Sequence, residues 1–211
     1  MSMPEQPTTR QAWTEHLLEH NYALWDGFLG SSDAAALLHG ARALDDKGLL
    51  HVKSPARPGS ALGALGSRLR QDRGLSLVST GATLLCMSSD NAPCQHFHRR
   101  IGEALEALRH TVDPLLEAAP DSLQLAHYPG GGAHYMAHKD RDQTSPMRSL
   151  SFVYYLNERE PRWNISEHGG ALHIYAAGSE EQLSAVVAPT HDRLVTFNSE
   201  LYHEVRPCYR S

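Results

Sequence analysis

A chain of 211 residues is long enough for one sizeable core and too short for two comfortable domains. Its net charge of −5 and pI near 6.3 give no chain-wide attraction to nucleic acid or an anionic membrane, and the composition, 41% hydrophobic and 20% charged, is that of an ordinary globular protein. The longest apolar runs fall far short of a membrane span.

The opening residues Met1–Gln6 carry neither the basic nor the apolar region of a secretory signal, so the expectation is a cytoplasmic or nuclear protein, not a secreted one. Cys86, Cys94 and Cys208 form a sparse, odd set without a CxxC pair, which predicts a reducing compartment and no structural disulfide. Residues 1–20 read as a loose N-terminal segment, with a short helix around Trp13 to Asn21, ahead of a single domain over 21–211. The strand-like Tyr22–Trp25 leads into Asp26-Gly27-Phe28-Leu29-Gly30. Ser32-Asp33 then caps a helix from Ala34 to Lys47 that ends at Gly48. Lys53 to Gly74 is rich in Pro, Gly, Ser and Arg and reads as a long, mobile connection. Phe97, Ile101, Leu105, Leu108, Val112 and Leu115 recur at spacings of three and four, which predicts one apolar helical face. Beyond Pro120 the pattern changes to short runs of β-formers between Gly and Pro clusters: Leu123–Tyr128, Leu150–Leu156, Ala171–Tyr175 and Arg193–Phe197. Helices first and many short strands after predict an α+β chain whose second half is a β-sandwich or barrel.

The chemistry gathers in that β-rich half. His138-Lys139-Asp140 places an imidazole and a carboxylate two residues apart, on one side of a strand or strand end. His203 follows far along the chain, just after the strand at 193–197. Two histidines and one carboxylate on one face of an octahedral ion leave the opposite positions open for a bidentate co-substrate and O₂, the ligand set of non-haem Fe(II) oxygenases. An isolated His-X-Asp is also common on solvated hairpins, so the pair alone does not decide. Before it runs Tyr128-Pro-Gly-Gly-Gly132, whose glycines permit a tight turn. Other histidines are weaker candidates. His16-Leu-Leu-Glu-His20 fits the H-x-x-E-H pattern of some zinc proteases but reads better as an amphipathic helix. His96 and His98 would point to different faces of a helix start. His134, four residues before His138, would share its side of a regular strand.

These residues resemble the prolyl 4-hydroxylase branch of the Fe(II)/2-oxoglutarate-dependent dioxygenases, and most of all the oxygen-sensing prolyl hydroxylases. The similar segments are Tyr-Pro-Gly-Gly-Gly from Tyr128, the HxD at 138–140, Val153-Tyr-Tyr-Leu-Asn157, Gly169-Gly-Ala-Leu-His-Ile-Tyr175, Asp192-Arg-Leu-Val-Thr-Phe197 and His203-Glu-Val-Arg-Pro207. They stand in the family's order over roughly 123–208, and Asp26-Gly-Phe-Leu29 is similar to the family's N-terminal strand. The resemblance implies a double-stranded β-helix (jelly roll) with supporting N-terminal helices and a catalytic core at about 122–211. It implies iron held by His138, Asp140 and His203, and 2-oxoglutarate held by Tyr155 and Tyr128 between the apolar walls Leu172 and Val205. It places Tyr135 and Arg148 near a bound proline. The family anchors the 2-oxoglutarate carboxylate with an Arg or Lys beyond the distal histidine. Only eight residues follow His203, so either this chain stops short of that cation or Arg210 (less readily Arg206) supplies it.

The function so implied is hydroxylation of a prolyl residue in a protein or peptide, using Fe(II), 2-oxoglutarate and O₂, with ascorbate as a further candidate requirement and neither nucleic acid nor membrane as partner. The mobile Lys53–Gly74 segment would close over the peptide. The alternatives are hydroxylation of another side chain or of a small molecule, and a non-catalytic jelly-roll metal-binding module.

Overall fold

The computed structural model describes residues 10–52, 71–77, 92–112, 123–141 and 148–210. Trp13 and Leu17, four residues apart, share the buried face of helix α1 (Arg10–His20), and the Trp13 ring meets Trp25 at 5.5 Å between centroids. The expected loose segment over 1–20 is therefore corrected for its second half. A wholly buried tryptophan docks α1 on the sheet beyond it, while residues 1–9 lie outside those described. Helix α2 (Ser31–Asp46) buries Ala34, Leu37, Gly40 and Leu44. Helix α3 (Ala92–Thr111) buries Cys94, Ile101, Ala104, Leu105 and Leu108, the predicted face begun one turn earlier; Leu115 lies outside the described residues. Cys94 is disulfide-bonded, against the expectation of no structural disulfide, and Cys208 is free and buried.

Strands β2 (His51–Val52), β3 (Arg73–Leu77) and β4 (Leu123–His127) form a small antiparallel sheet. Of the Lys53–Gly74 connection only 71–74 falls within the described residues, and Arg73 and Gly74 there belong to β3 rather than to a loop.

The remaining strands make two facing antiparallel sheets. One has the order β1-β9-β6, from Tyr22–Asp26, Arg193–Asn198 and Leu150–Tyr155. The other has the order β5-β10-β7-β8, from Ala133–His138, His203–Cys208, Leu172–Tyr175 and Leu183–Val187. Strand alternation divides the first sheet's side chains between two cores. Ala23, Trp25, Leu150, Phe152, Tyr154 and Leu194 face the helices. Leu24, Val153, Tyr155, Val195 and Phe197 face the second sheet, meeting Leu172, Ile174, Val187 and Val205. The result is a helical layer, a sheet and a second sheet, the jelly-roll arrangement with N-terminal helices that was expected. Neither sheet closes into a barrel.

Two acidic residues tie the N-terminal elements to the start of β9. Asp192, at φ 57 in the turn before β9, accepts the backbone N–H groups of Leu29 and Gly30 and the Tyr154 hydroxyl through its carboxylate. Asp26 grips the buried Arg193 guanidinium through both oxygens, joining β1 to β9 at a register pair.

Candidate metal centre

The second sheet brings His203, at the start of β10, opposite His138, at the end of β5. Between this pair and Val205↔Tyr135 the register slips, so that β5 spends one more residue than β10 on the same span. Such a bulge reverses the alternation. Tyr135 and His138 come to the same side, their rings stacked 3.8 Å apart at 18°. His134, expected on the side of His138, is displaced from it, and its Nδ1 lies 3.1 Å from the Gly132 carbonyl. The turn before β5 needs its glycines: Gly130, Gly131 and Gly132 have φ of 79°, 64° and 90° in succession.

Three donor atoms converge. His138 Nε2 stands 3.6 Å from Asp140 Oδ1, and His203 Nε2 stands 3.7 Å from Asp140 Oδ2. One ligand atom from each residue lies within 4.8 Å of the other two, and no other cluster of three such groups occurs among the described residues. The His16–His20 pair therefore stays an aromatic contact, rings 4.3 Å apart beside Tyr22.

The tautomers suit metal binding. His138 Nδ1 sits 2.9 Å from the Met136 carbonyl and His203 Nδ1 sits 3.1 Å from that of Leu201. A carbonyl only accepts, so each Nδ1 carries the proton and each Nε2 keeps its lone pair for an ion. Burial, with the His138 ring next to it, pushes the His203 imidazole down to about 4 against the pull of Asp140 and the Leu201 carbonyl. His203 is thus neutral, the form that coordinates. Burial alone would raise the Asp140 carboxyl. The His138 ring, the His203 ring and the Ser151 hydroxyl outweigh it and hold the group well below the usual carboxylate range. Two imidazoles with Nε2 turned to the centre and an ionised carboxylate fit a divalent ion that prefers mixed nitrogen and oxygen ligands.

The other predicted residues divide by position. Tyr155, Leu172 and Val205 line the inner cluster, and burial pushes the Tyr155 phenol well up, with the Arg193 charge opposing. Neighbouring Tyr154 faces the helices and donates to Asp192, which settles which of the two tyrosines looks into the sandwich. Tyr128 follows β4, partly buried. Arg148 reaches the Asp140 carbonyl at 3.5 Å, and so stands at the HxD turn. The Arg210 guanidinium lies over the Trp163 ring at 5.9 Å, and Arg206 pairs with Glu204 at 3.2 Å. The cation whose charge reaches Tyr155 is Arg193, which sequence reading passed over, as it did Ser151 and Ser199 beside Asp140.

Residues 123–211 match the model of the 2OG-Fe(II) oxygenase superfamily. A hypoxia-inducible factor prolyl hydroxylase of Caenorhabditis elegans is 30% identical over 128 residues, 60% of this chain and 15% of that one. The chain therefore spans only a small part of that relative's length. Among solved structures, a Trichoplax adhaerens prolyl hydroxylase in complex with a hypoxia inducible factor peptide superimposes with a TM-score of 0.77 at 23% identity, over 95% of this chain and 84% of that one. A Pseudomonas putida prolyl-4-hydroxylase gives 0.72 at 25% identity, over 96% and 93%.

Proposed function

We propose, from the match of residues 123–211 to the 2OG-Fe(II) oxygenase superfamily model and the likeness to prolyl hydroxylases, that the chain is an oxygenase of the prolyl 4-hydroxylase type and hydroxylates a prolyl residue in a protein or peptide. The observation that carries the reading is the convergence of His138 Nε2, His203 Nε2 and the Asp140 carboxylate, with both histidine Nδ1 atoms already committed to carbonyls. When bound, Fe(II), 2-oxoglutarate and O₂ together supply the oxidising power that places one oxygen atom in a C–H bond.

The chain's residues do the rest. His138, Asp140 and His203 would hold the ion on one side and leave its other side open. Tyr155 is assigned to hydrogen-bond a co-substrate carboxylate, a reading supported by its position among the inner-wall residues Val153, Leu172 and Val205. The apolar wall keeps water from that end. Tyr135 and Arg148 are assigned to the substrate side, a reading supported by the stacking of Tyr135 on His138 and the contact of Arg148 with the Asp140 carbonyl.

The test is anaerobic loading of the purified chain with Fe(II), followed by 2-oxoglutarate, ascorbate, air and a library of proline-containing peptides. The expected result is succinate release matched by the mass gain of one oxygen atom on a prolyl residue, abolished in His138→Ala. Succinate with oxygen gained on another side chain or on a small molecule would refute the prolyl assignment. No succinate from a chain that binds iron and 2-oxoglutarate would make it a binding module.

A further inference from the structure

Asp140 is held by more than its two histidine neighbours. Ser151, on the inner side of β6, donates its hydroxyl to Asp140 Oδ2 at 2.6 Å, and the Ser199 hydroxyl lies 2.8 Å from that of Ser151. An ionised carboxylate only accepts, and a serine hydroxyl has one proton to give. The Ser151 proton is therefore spent on Asp140, and the second bond must run from Ser199 to Ser151. Ser199 is wholly buried, so water does not compete for its hydroxyl. Its backbone is fixed as well: its carbonyl accepts from Arg141 N at 3.0 Å, and its N–H donates to the Ser149 carbonyl at 3.1 Å. One residue thus joins the turn carrying Asp140 to the start of the strand carrying Ser151.

We infer that Ser199 and Ser151 form a directed hydroxyl relay that ties one oxygen of Asp140 to the fold and presents the other to the bound metal. The inference rests on the metal-site reading above and deepens it. A carboxylate free to swing can offer both oxygens to an ion and occupy a position that a co-substrate and O₂ would otherwise share. A carboxylate tied at Oδ2 would offer the ion one oxygen and leave the remaining positions to a co-substrate and O₂. Both serines act through Asp140 and are positioning residues.

The experiment uses Co(II) as the probe, titrated into the full chain under anaerobic conditions, with affinity and the visible Co(II) band as readouts. Ser151→Ala should weaken Co(II) binding about 10- to 100-fold, the usual effect of losing a hydrogen bond to a ligand, and should change the Co(II) band as the carboxylate is released. Ser151→Thr keeps the hydroxyl and should restore both. Ser199→Ala should weaken binding less than Ser151→Ala, and should add nothing in the Ser151→Ala background, because its effect passes through Ser151. Wild-type affinity and band in Ser151→Ala, or a Ser151→Thr no better than Ser151→Ala, would overturn the positioning role. Independent, additive losses from the two serines would overturn the relay. Failure of the wild-type chain to bind Co(II) would overturn the metal site itself.

Discussion

Replacing His203 with Asn should remove part of the acid sensitivity of the metal-free protein. The folded His203 is pushed from its ordinary 6.5 down to about 4, by burial first and by the His138 ring second. Across that interval the unfolded chain binds a proton here that the folded chain does not. Stability therefore rises with pH through the window and is lost on acidification. At about 1.36 kcal/mol per pH unit, the interval is worth about 3 kcal/mol, against a total stability of about 5–15 kcal/mol for an ordinary domain. Asp140 works the same way but lower, because its folded value lies beneath its ordinary 3.8, so its contribution is lost only below the His203 window. The assay is urea unfolding of EDTA-treated wild type and His203→Asn at steps from neutral pH down to about 4.5, where this group is still mostly deprotonated in the fold. The difference between the two curves isolates His203 from the other histidines. It should shift by about 2–3 kcal/mol across the window, the wild type losing more. Parallel curves would refute the argument, since they would mean that His203 protonates as easily folded as unfolded.

The Asp26–Arg193 pair should show an asymmetry: Asp26→Asn leaves a guanidinium 7% exposed without its partner and should cost about 3–5 kcal/mol, whereas Arg193→Met leaves a carboxylate 42% exposed that water can serve, and should cost clearly less in urea unfolding. Equal costs would show that exposure does not govern the pair. Tyr155→Phe should raise the 2-oxoglutarate concentration needed for half-saturation roughly 10- to 100-fold, the worth of one hydrogen bond to a charged group, with Co(II) affinity unchanged. Arg210→Ala, which removes a cation lying against Trp163, should leave that concentration near wild type, and a large loss would make Arg210 the carboxylate anchor.

The convergence of His138, Asp140 and His203 was legible because such a set is rare and partly local: a His-X-Asp pair carries its own geometry, and His203 follows a clear strand. Strand alternation says only that Tyr154 and Tyr155 face opposite sides, and it was the family resemblance that singled out Tyr155 as the inward one. His134 was misplaced because the same alternation was carried through a bulge, and a bulge is fixed by how β5 pairs with β10, not by β5 alone. Trp13 reads as an ordinary residue near a terminus, and its burial depends on Trp25 and the helices that cover it. Ser151 and Ser199 carry no periodic or compositional signal at all. They become visible only when two strands bring their hydroxyls to 2.8 Å beside a carboxylate. Asp26 and Arg193 were unremarked for a related reason, since a charge pair is recognised by proximity in space and these two are far apart in sequence.

Strand β1 pairs with β9 along its whole length, Tyr22 opposite Phe197 and Asp26 opposite Arg193. A ribosome working at about 5–20 residues per second would release β1 roughly ten to thirty seconds before β9 exists to receive it. During that wait Ala23, Leu24 and Trp25, all destined for the two cores, have no sheet to join. Helices α1 and α2, made on either side of β1, and then α3 offer it early cover, since their residues share a core cluster with Ala23 and Trp25. Pairing at so large a sequence separation also sets a high loop-closure cost for the folding transition state. The metal centre cannot assemble before β9 exists, since the His203 ring lies against Phe197 of that strand, 4.6 Å between centroids, and His203 itself is made after it.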